Sequence, residues 1–246
     1  MAKTGASKGK GRRKAAKAET TWARPRAVLA RWFRKGLLIG GGTFVAVVIL
    51  FRFVDPPLTP YMAAEWYRTG KLSHEWRPLE AVAPPVPLAV MAAEDANFCL
   101  HWGFDLNAIR AAVDEGARRG ASTLTQQTVK NLFLWQGRSW IRKFLETLMT
   151  PVVEAAWTKR RILEVYLNIA EFDEGVFGIE AAARHYFGKG ADKLTLNEAA
   201  LLAAILPDPK GRDAARPGPW LRKRAESIAD GALTLRLDGR ASCIQG

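Results

Sequence analysis

The sequence is poor in the side chains from which metal centres and disulfide frameworks are built. It contains two cysteines and three histidines in 246 residues. Cys99 and Cys243 fit neither a disulfide framework nor a metal-ligand spacing, and the histidines are scattered along the chain. We therefore assign no metal ligands, and we expect Cys99 to be a small buried hydrophobic residue.

The strict alternation of apolar and polar residues that marks a half-buried strand is also missing. Long stretches instead carry apolar residues at helical spacing, and several of them begin with Thr, Ser or Asp and end at Gly or Pro, as helices do. Hydrophobic residues make up 48% of the chain, which is ample for a core. The predicted fold class is all-α.

Acidic residues are nearly absent from the first 35 residues, which hold twelve basic residues and one acid, a net charge of +11. Because the whole chain carries +13, the remaining body is nearly neutral. Residues 1–31 have almost nothing to bury, and we predict a disordered basic tail there. Charge confined to a tail argues against nucleic-acid binding by the folded part.

A run without charges follows this tail. Residues 36–51, GLLIGGGTFVAVVILF, would span about 24 Å as a helix, and apolar neighbours extend it on both sides. We predict one transmembrane helix over residues 32–54. A cleaved signal peptide is the alternative, but no A-x-A-like cleavage site follows. The positive-inside rule then places the N-terminus in the cytoplasm and everything after Asp55 outside.

The rest of the chain divides into two parts. Residues 55–87 indicate a linker and a membrane-proximal helix, and residues 88–246 indicate the main domain.

Reactive side chains are concentrated in the stretch EDANFCLHWGFD, which begins at Glu94. As a helix, this stretch would place Glu94, Phe98 and His101 on one face. Glu94 and Asp95 follow an apolar helical turn, where burial would raise a carboxyl pKa and favour a role as general base. From these residues alone, a solvated helix face for Glu94 and a core position for His101 remain open.

The next two helices are predicted from their caps. Asp105 should cap a helix that ends at Gly120, and Thr123 with Gln126 has the spacing of a capping box at the start of another. The second of these helices offers hydroxyl, amide and ammonium groups at its start, which suit an anion. They belong to Ser122, Thr123, Gln126, Gln127, Lys130 and Asn131.

The longest helical pattern runs over residues 139–168, with a kink or a break expected near Thr150 because Pro151 follows it. Arg142 and Glu146 lie one turn apart on the same face. Arg142 and Lys143 together could bind a diphosphate, since guanidinium offers bidentate geometry and the lysine a point charge.

These segments resemble, in order, the motifs of the peptidoglycan glycosyltransferases. EDANFCLHWGFD resembles EDxxFxxHxGxD, and RGASTLTQQTVKNLF resembles GxSTxxQQxxKN. The motifs RKxxE and KxxILExYLN resemble the next segment, RKFLETLMTPVVEAAWTKRRILEVYLN. The motifs GxxxAAxxYF and EAALLA are similar to the last two segments, GVFGIEAAARHYFGK and LTLNEAALLAAILPDP. The matches cover roughly residues 88–209, and the anchor without a second domain resembles the monofunctional members, so no transpeptidase activity is expected.

The resemblance implies a lysozyme-like, all-α domain that polymerises lipid II into β-1,4-linked glycan strands and releases undecaprenyl pyrophosphate. It implies a single-pass protein of the bacterial inner membrane with a periplasmic catalytic domain. Glu94 is expected to be the general base and Glu146 a second catalytic carboxylate. Substrate contacts are expected from Asp95, Phe98, His101, Ser122, Thr123, Gln126, Gln127, Lys130, Asn131, Arg142 and Lys143.

The expected partners are lipid II, the growing glycan strand, the membrane, and cell-wall synthesis or division proteins, with no nucleic acid. No cofactor is assigned, and a divalent cation (Mg²⁺ or Mn²⁺) on the pyrophosphate is left open. Two alternatives remain. A lysozyme-like hydrolase or lytic transglycosylase explains Glu94 but not the cations at Lys130, Arg142 and Lys143, and a membrane scaffold that binds precursors would need no catalysis.

Overall fold

The computed structural model of the chain describes residues 1, 2, 5, 23–116 and 120–244. The chain divides into two units, residues 1–44 and residues 45–246. Most of the tail that we predicted to be disordered lies outside the described residues.

The first helix is α1 (Ala23–Phe51). Within it, Val28–Phe51 is the one stretch of the described chain that is long and apolar enough to cross a membrane. The predicted apolar helix near the N-terminus is therefore confirmed, although it begins at Ala23 rather than residue 32 and ends at Phe51 rather than residue 54.

Helices dominate the second unit, so the predicted all-α class is confirmed. In the part of the chain that the structure describes they are α2 (Pro60–Thr69), α3 (Pro85–Glu94), α4 (Leu106–Asp114), α5 (Leu124–Phe133), α6 (Trp140–Ala156), α7 (Lys159–Ile169), α8 (Ile179–Phe187), α9 (Leu196–Ile205) and α10 (Pro219–Leu237).

A small sheet accompanies these helices. Its strands are β1 (Ser73–His74), β2 (Glu171–Asp173) and β3 (Val176–Phe177), in the order β1-β3-β2. β1 pairs with β3 in parallel, and β2 pairs with β3 in antiparallel register. We did not predict this sheet, because strands of two or three residues are too short to show an alternating pattern.

The predicted helix starts agree with the structure. Thr123 forms a capping box with Gln126, and the Asp105 carboxylate accepts the Ala108 backbone N–H at 2.9 Å. The end predicted for α4 is wrong, because the helix stops at Asp114 instead of continuing to Gly120. Gly116 adopts a positive φ of 73°, a conformation that terminates a helix.

α3, α9 and α10 pack against one another, and α9 contributes a row of small buried residues. α9 buries Ala199, Ala200, Ala203 and Ala204, and these short side chains let the neighbouring backbones come close. Because α3 is held in this layer, its last residue, Glu94, has a fixed position.

α7 is the central helix of the second group, in which α5 packs against both α6 and α7. Its residues from Ile162 to Ile169 are buried with one exception, Glu164. A helical stretch that is buried on nearly all sides must be covered by neighbouring elements. α5 and α6, which carry the predicted anion-binding residues, form part of that cover.

Of the kink or break that we predicted near Thr150, the break does not occur. α6 is one helix from Trp140 to Ala156, and the boundary falls at Trp157, where Thr158 caps α7. Proline removes only one backbone hydrogen bond of the ladder. The hydroxyl of Thr150 donates to the Glu146 carbonyl at 2.7 Å, and Val153 and Glu154 after the proline are buried.

We predict that Gly178→Ala lowers the free energy of unfolding of the detergent-solubilised protein by about 2–4 kcal/mol, from a strained positive φ and a steric clash together. Gly178 has φ +85°, and a Cβ there would lie 2.8 Å from the Asn168 carbonyl oxygen. Chemical denaturation provides the measurement.

Gly188→Ala is the matched control, because Gly188 also has a positive φ of 66° but nothing within 4 Å of its Cβ position. It should lose only about 1 kcal/mol. Equal losses for the two variants would contradict the clash at Gly178.

Candidate active site

Glu94 is the last residue of α3, and the chain leaves the helix immediately after it. Asp95 has φ −161° and ψ 75°, which is not helical. The helix that we predicted from Glu94 to His101 is therefore wrong. The cause is the Asp95 carboxylate, which accepts the Leu124 backbone N–H at 3.0 Å and contacts His101 Nε2 at 2.9 Å.

The other side chains of this stretch consequently do not share a face with Glu94. Phe98 is fully buried, with the Lys159 ammonium 4.5 Å from its ring centroid. His101 is held by Asp95, and its Nδ1 is buried without a hydrogen-bond partner among the described residues. These residues shape the loop after α3, and their predicted contacts with substrate stay a prediction.

Glu94 is half-buried and receives one neutral donor. The Gln127 Nε2 donates to Glu94 Oε2 at 2.7 Å, and the Tyr166 hydroxyl donates to Gln127 Oε1 at 3.1 Å. Tyr166 therefore fixes which end of the amide faces the carboxylate. Burial raises the pKa of Glu94, and the hydrogen bond from Gln127 only partly offsets this.

Glu146 lies in a different environment. It is buried, and its two oxygens accept from Arg142 at 2.6 Å and from Lys143 at 2.5 Å. The Lys143 ammonium also donates to Ser122 Oγ at 3.1 Å. The predicted pairing of Arg142 with Glu146 across one helical turn is confirmed.

The charge of Lys130 acts on both carboxylates. Its ammonium interacts electrostatically with both Glu94 and Glu146, and also with the cations Arg142 and Lys143. Burial and the neighbouring cations lower the pKa of Lys130, while the two carboxylates act to raise it. The predicted acid at the end of α3 and the predicted cations of α5 and α6 thus form one electrostatic cluster.

Three further predicted contacts have local partners. Thr123 and Gln126 serve the capping box of α5, and the Thr123 hydroxyl also donates to the Gly103 carbonyl at 2.7 Å. The Asn131 side chain accepts from Gln136 at 3.2 Å. Whether these residues also touch substrate stays a prediction.

Arg224 of α10 is a neighbour of Glu94 that the sequence analysis missed. Its guanidinium donates to the Ala93 carbonyl at 3.4 Å, and its charge acts to lower the pKa of Glu94. The segment after Pro209 matched no motif that we could align. The basic LRKR run at residues 221–224, on a helix with an apolar face, was the available signal.

The structure brings together three groups that could hold a metal ion, which sequence spacing had not suggested. Oxygen or nitrogen atoms of Asp95, His101 and Asp105 lie within 4.8 Å of one another. They are already engaged: Asp95 bonds to His101, and Asp105 accepts from Asn97 at 2.8 Å and from the start of α4. We interpret the cluster as a hydrogen-bond network that shapes the loop.

The expectation that Cys99 is a free buried residue is wrong. Cys99 forms a disulfide with Cys243, with their Cα atoms 5.6 Å apart. The two residues are 144 positions apart in the chain, and only the folding of the C-terminal segment against α7 brings them together. Sequence spacing could not reveal this pairing.

A helical unit with two carboxylates, one of raised pKa and one bound by cations, suits the transfer of a group from a phosphate leaving group. The transglycosylase family model matches residues 62–232. The chain therefore belongs to the transglycosylase family, and the resemblance to peptidoglycan glycosyltransferases is confirmed.

The similar curated proteins are named biosynthetic peptidoglycan transglycosylase. The protein of Jannaschia sp. (strain CCS1) is 53% identical over 215 residues, covering 87% of this chain and 90% of the relative. That of Caulobacter vibrioides is 46% identical over 212 residues, covering 85% and 92%. That of Pectobacterium carotovorum subsp. carotovorum is 48% identical over 224 residues, covering 84% and 91%.

We predict that Glu94→Gln stabilises the folded protein at pH 8. Because the folded pKa is raised above its ordinary value of about 4.5, ionisation of Glu94 destabilises the fold as pH rises through this window. The amide oxygen of the introduced glutamine would still accept from Gln127 without the buried charge. The thermal midpoint should rise by about 2–4 °C per kcal/mol recovered, and the gain should vanish below pH 4.5.

Glu146→Gln is the contrasting variant. It leaves Arg142 and Lys143 without their buried counter-charge, so its thermal midpoint at pH 8 should fall. If both variants shifted the midpoint in the same direction, the assignment of two different environments would be wrong.

Proposed function

We propose that the protein polymerises lipid II into β-1,4-linked glycan strands with release of undecaprenyl pyrophosphate, without transpeptidase activity. The observation that carries this proposal is the half-buried Lys130, which interacts with Glu94 and with the Glu146, Arg142 and Lys143 cluster. A base and an anion-binding group thus belong to one site. The names of the relatives supply the substrate class.

Glu94 acts as the general base in this proposal. A sugar hydroxyl of one chain loses its proton to the Glu94 carboxylate while its oxygen attacks the anomeric carbon of another. The raised pKa makes the Glu94 carboxylate a stronger base than an ordinary glutamate, which suits proton abstraction. The bond from the anomeric carbon to the pyrophosphate oxygen breaks, and attack from the opposite face inverts the α-linked donor to a β-linkage.

The leaving pyrophosphate is bound by the cations of α5 and α6. Lys130, Arg142 and Lys143 provide three positive charges, of which Glu146 balances one. Ser122, within 3.1 Å of the Lys143 ammonium, adds a hydroxyl. Donors placed where negative charge develops lower the barrier by several kcal/mol in a water-poor site.

The donor set around Glu146 does not fit a divalent cation. Both carboxylate oxygens already accept from Arg142 and Lys143, and the ammonium of Lys130 adds further positive charge. A dication there would be repelled by three neighbours. We therefore assign the neutralisation of the pyrophosphate to the side chains, and Glu146 holds those side chains in position.

We further propose that α1 anchors the protein in the bacterial inner membrane with its N-terminus in the cytoplasm and the catalytic unit in the periplasm. The basic residues before the apolar run support this orientation. The Cys99–Cys243 disulfide supports it as well, since disulfides persist in oxidising compartments. The growing glycan strand and cell-wall synthesis or division proteins are the partners proposed with it.

Glu94→Gln should remain folded and lose polymerisation by about 10²–10⁴-fold, because the acceptor hydroxyl loses its base. Purified protein in detergent is given labelled lipid II, and the products are resolved on a gel before and after muramidase digestion. Glu226→Gln, which changes an exposed glutamate of α10, is the matched control and should polymerise normally.

The same assay, together with an incubation of the wild type with preformed sacculi, separates the alternatives. Polymer from Glu94→Gln at the wild-type rate would remove Glu94 from the role of base. Precursor binding without a muramidase-sensitive ladder from the wild type would favour the scaffold. Degradation of preformed sacculi in place of polymerisation would favour the hydrolase or lytic enzyme.

Arg142→Ala should lower both turnover and donor affinity, with turnover reduced by about 10²–10³-fold, because a donor to the pyrophosphate is lost and Glu146 keeps only one of its two cations. Arg142→Lys should recover part of the lost turnover and donor affinity. Lysine keeps the positive charge but lacks the bidentate geometry of the guanidinium. Arg216→Ala removes an exposed arginine elsewhere and serves as control. Unchanged kinetics in Arg142→Ala would contradict the pyrophosphate assignment.

A further inference from the structure

The disulfide joins a segment that has few backbone hydrogen bonds to one that is well anchored to the fold. Cys99 lies in the loop between α3 and α4, residues 95–105, which we term the motif loop. Cys243 lies in a short 3-10 turn, Ser242–Ile244, near the end of the described chain. The bond therefore connects the loop that follows Glu94 to the C-terminal segment.

The motif loop has little backbone structure of its own. Within it, where every residue is described, Phe98 N donates to the Asp95 carbonyl and Leu100 N donates to the Asn97 carbonyl. The rest of its shape depends on side chains, such as the pair of Asp95 with His101. A loop with few backbone hydrogen bonds opens easily when such a side-chain contact is removed.

The C-terminal segment, by contrast, is firmly attached to the fold. Arg160 of α7 donates to the Ile244 carbonyl at 2.7 Å and also pairs with Glu80. The side chains of Ala241 and Ile244 are buried. Through Cys243 the motif loop is thus fastened to α7, the central helix of its group.

The motif loop carries Asp95, which acts on Glu94. Asp95 is its first residue and supplies a negative charge next to the Glu94 carboxylate. Asp95 also binds the start of α5, the helix that carries Gln127 and Lys130. A displacement of the loop would therefore alter the surroundings of Glu94 without removing any group of the site.

We propose that the Cys99–Cys243 disulfide is a positioning device for the motif loop, and that glycan polymerisation depends on its oxidised state. This inference rests on the proposed function. The bond forms when the two thiols give up two electrons and two protons to a disulfide-donating oxidoreductase of the same compartment. Dithiothreitol reverses the step and becomes a cyclic disulfide.

The test compares the wild type with Cys99→Ser, Cys243→Ser and the double variant, each as full-length protein in detergent. Polymerisation of lipid II is measured with and without dithiothreitol, at a temperature where circular dichroism finds every variant folded. Turnover should fall about tenfold or more in all three variants and in the reduced wild type, because a small misplacement of site groups is costly.

Four further readouts distinguish positioning of the loop from a merely structural effect. The double variant should be no slower than either single variant, since all three lack the same bond, and dithiothreitol should not affect it. The acidic limb of the pH–turnover profile should move to lower pH, because a relaxed loop exposes Glu94 and removes Asp95 from its side. Hydrogen exchange of the peptide over residues 95–105 should become faster.

The inference is overturned if alkylation and mass spectrometry find both thiols free in the wild type isolated without reductant. It is also overturned if the double variant polymerises within twofold of the wild type with an unchanged pH profile. A wild type that makes no polymer at all, while the loop peptide still exchanges faster on reduction, would instead reject the proposed function.

Discussion

The carboxylate of Asp95 is the contact on which the geometry of the site depends. It accepts the backbone N–H of Leu124, the first residue of α5, which has no partner within its own helix. With its other oxygen it contacts His101, so the chain must leave the helical path directly after Glu94. One side chain thereby ends α3, supports the start of α5 and sets the course of the motif loop. Burying a carboxylate without such partners would cost several kcal/mol. Asp95 must therefore keep both contacts, and the end of α3, the start of α5 and the course of the motif loop are fixed together.

Glu94 and Glu146 illustrate how the surroundings of a residue divide chemical roles between identical side chains. Glu94 has a neutral amide donor and more distant cations, so burial dominates and its pKa rises. Glu146 is also secluded from solvent but binds two cations directly. A buried carboxylate without close cations binds a proton more readily than an ordinary one, whereas a carboxylate enclosed by cations orients them. Tyr166 acts on Glu94 indirectly. Its hydroxyl donates to Gln127 Oε1, so the Nε2 end of that amide faces Glu94.

An interaction could be predicted from the sequence when its two residues lie close together along the chain. Capping boxes and the pairing of Arg142 with Glu146 involve residues three or four positions apart, so their spacing alone predicts them. The end of α3 could not be predicted, because Asp95 bonds to Leu124, which is 29 positions away. The disulfide and the approach of Arg224 to Glu94 are more distant still and required the packed fold. The break considered at the proline in α6 is absent for the opposite reason, since packing of the residues around it outweighs one missing hydrogen bond.

Gly103 links the part of the chain that follows Glu94 to α6, the helix that carries Glu146. It has φ +84°, and a Cβ there would lie 2.7 Å from the Thr150 side chain and 3.1 Å from that of Glu154. Its carbonyl meanwhile accepts the Thr123 hydroxyl at the start of α5. The motif loop, α5 and α6 therefore meet at a residue that has room for no side chain. Because Thr150 also donates to the Glu146 carbonyl, a movement of the loop at this contact would be transmitted to the turn of α6 that holds Arg142 and Lys143. This close packing contact thus couples the motif loop, which follows the base, to the helix that carries Arg142 and Lys143, and glycine at residue 103 is the condition for it.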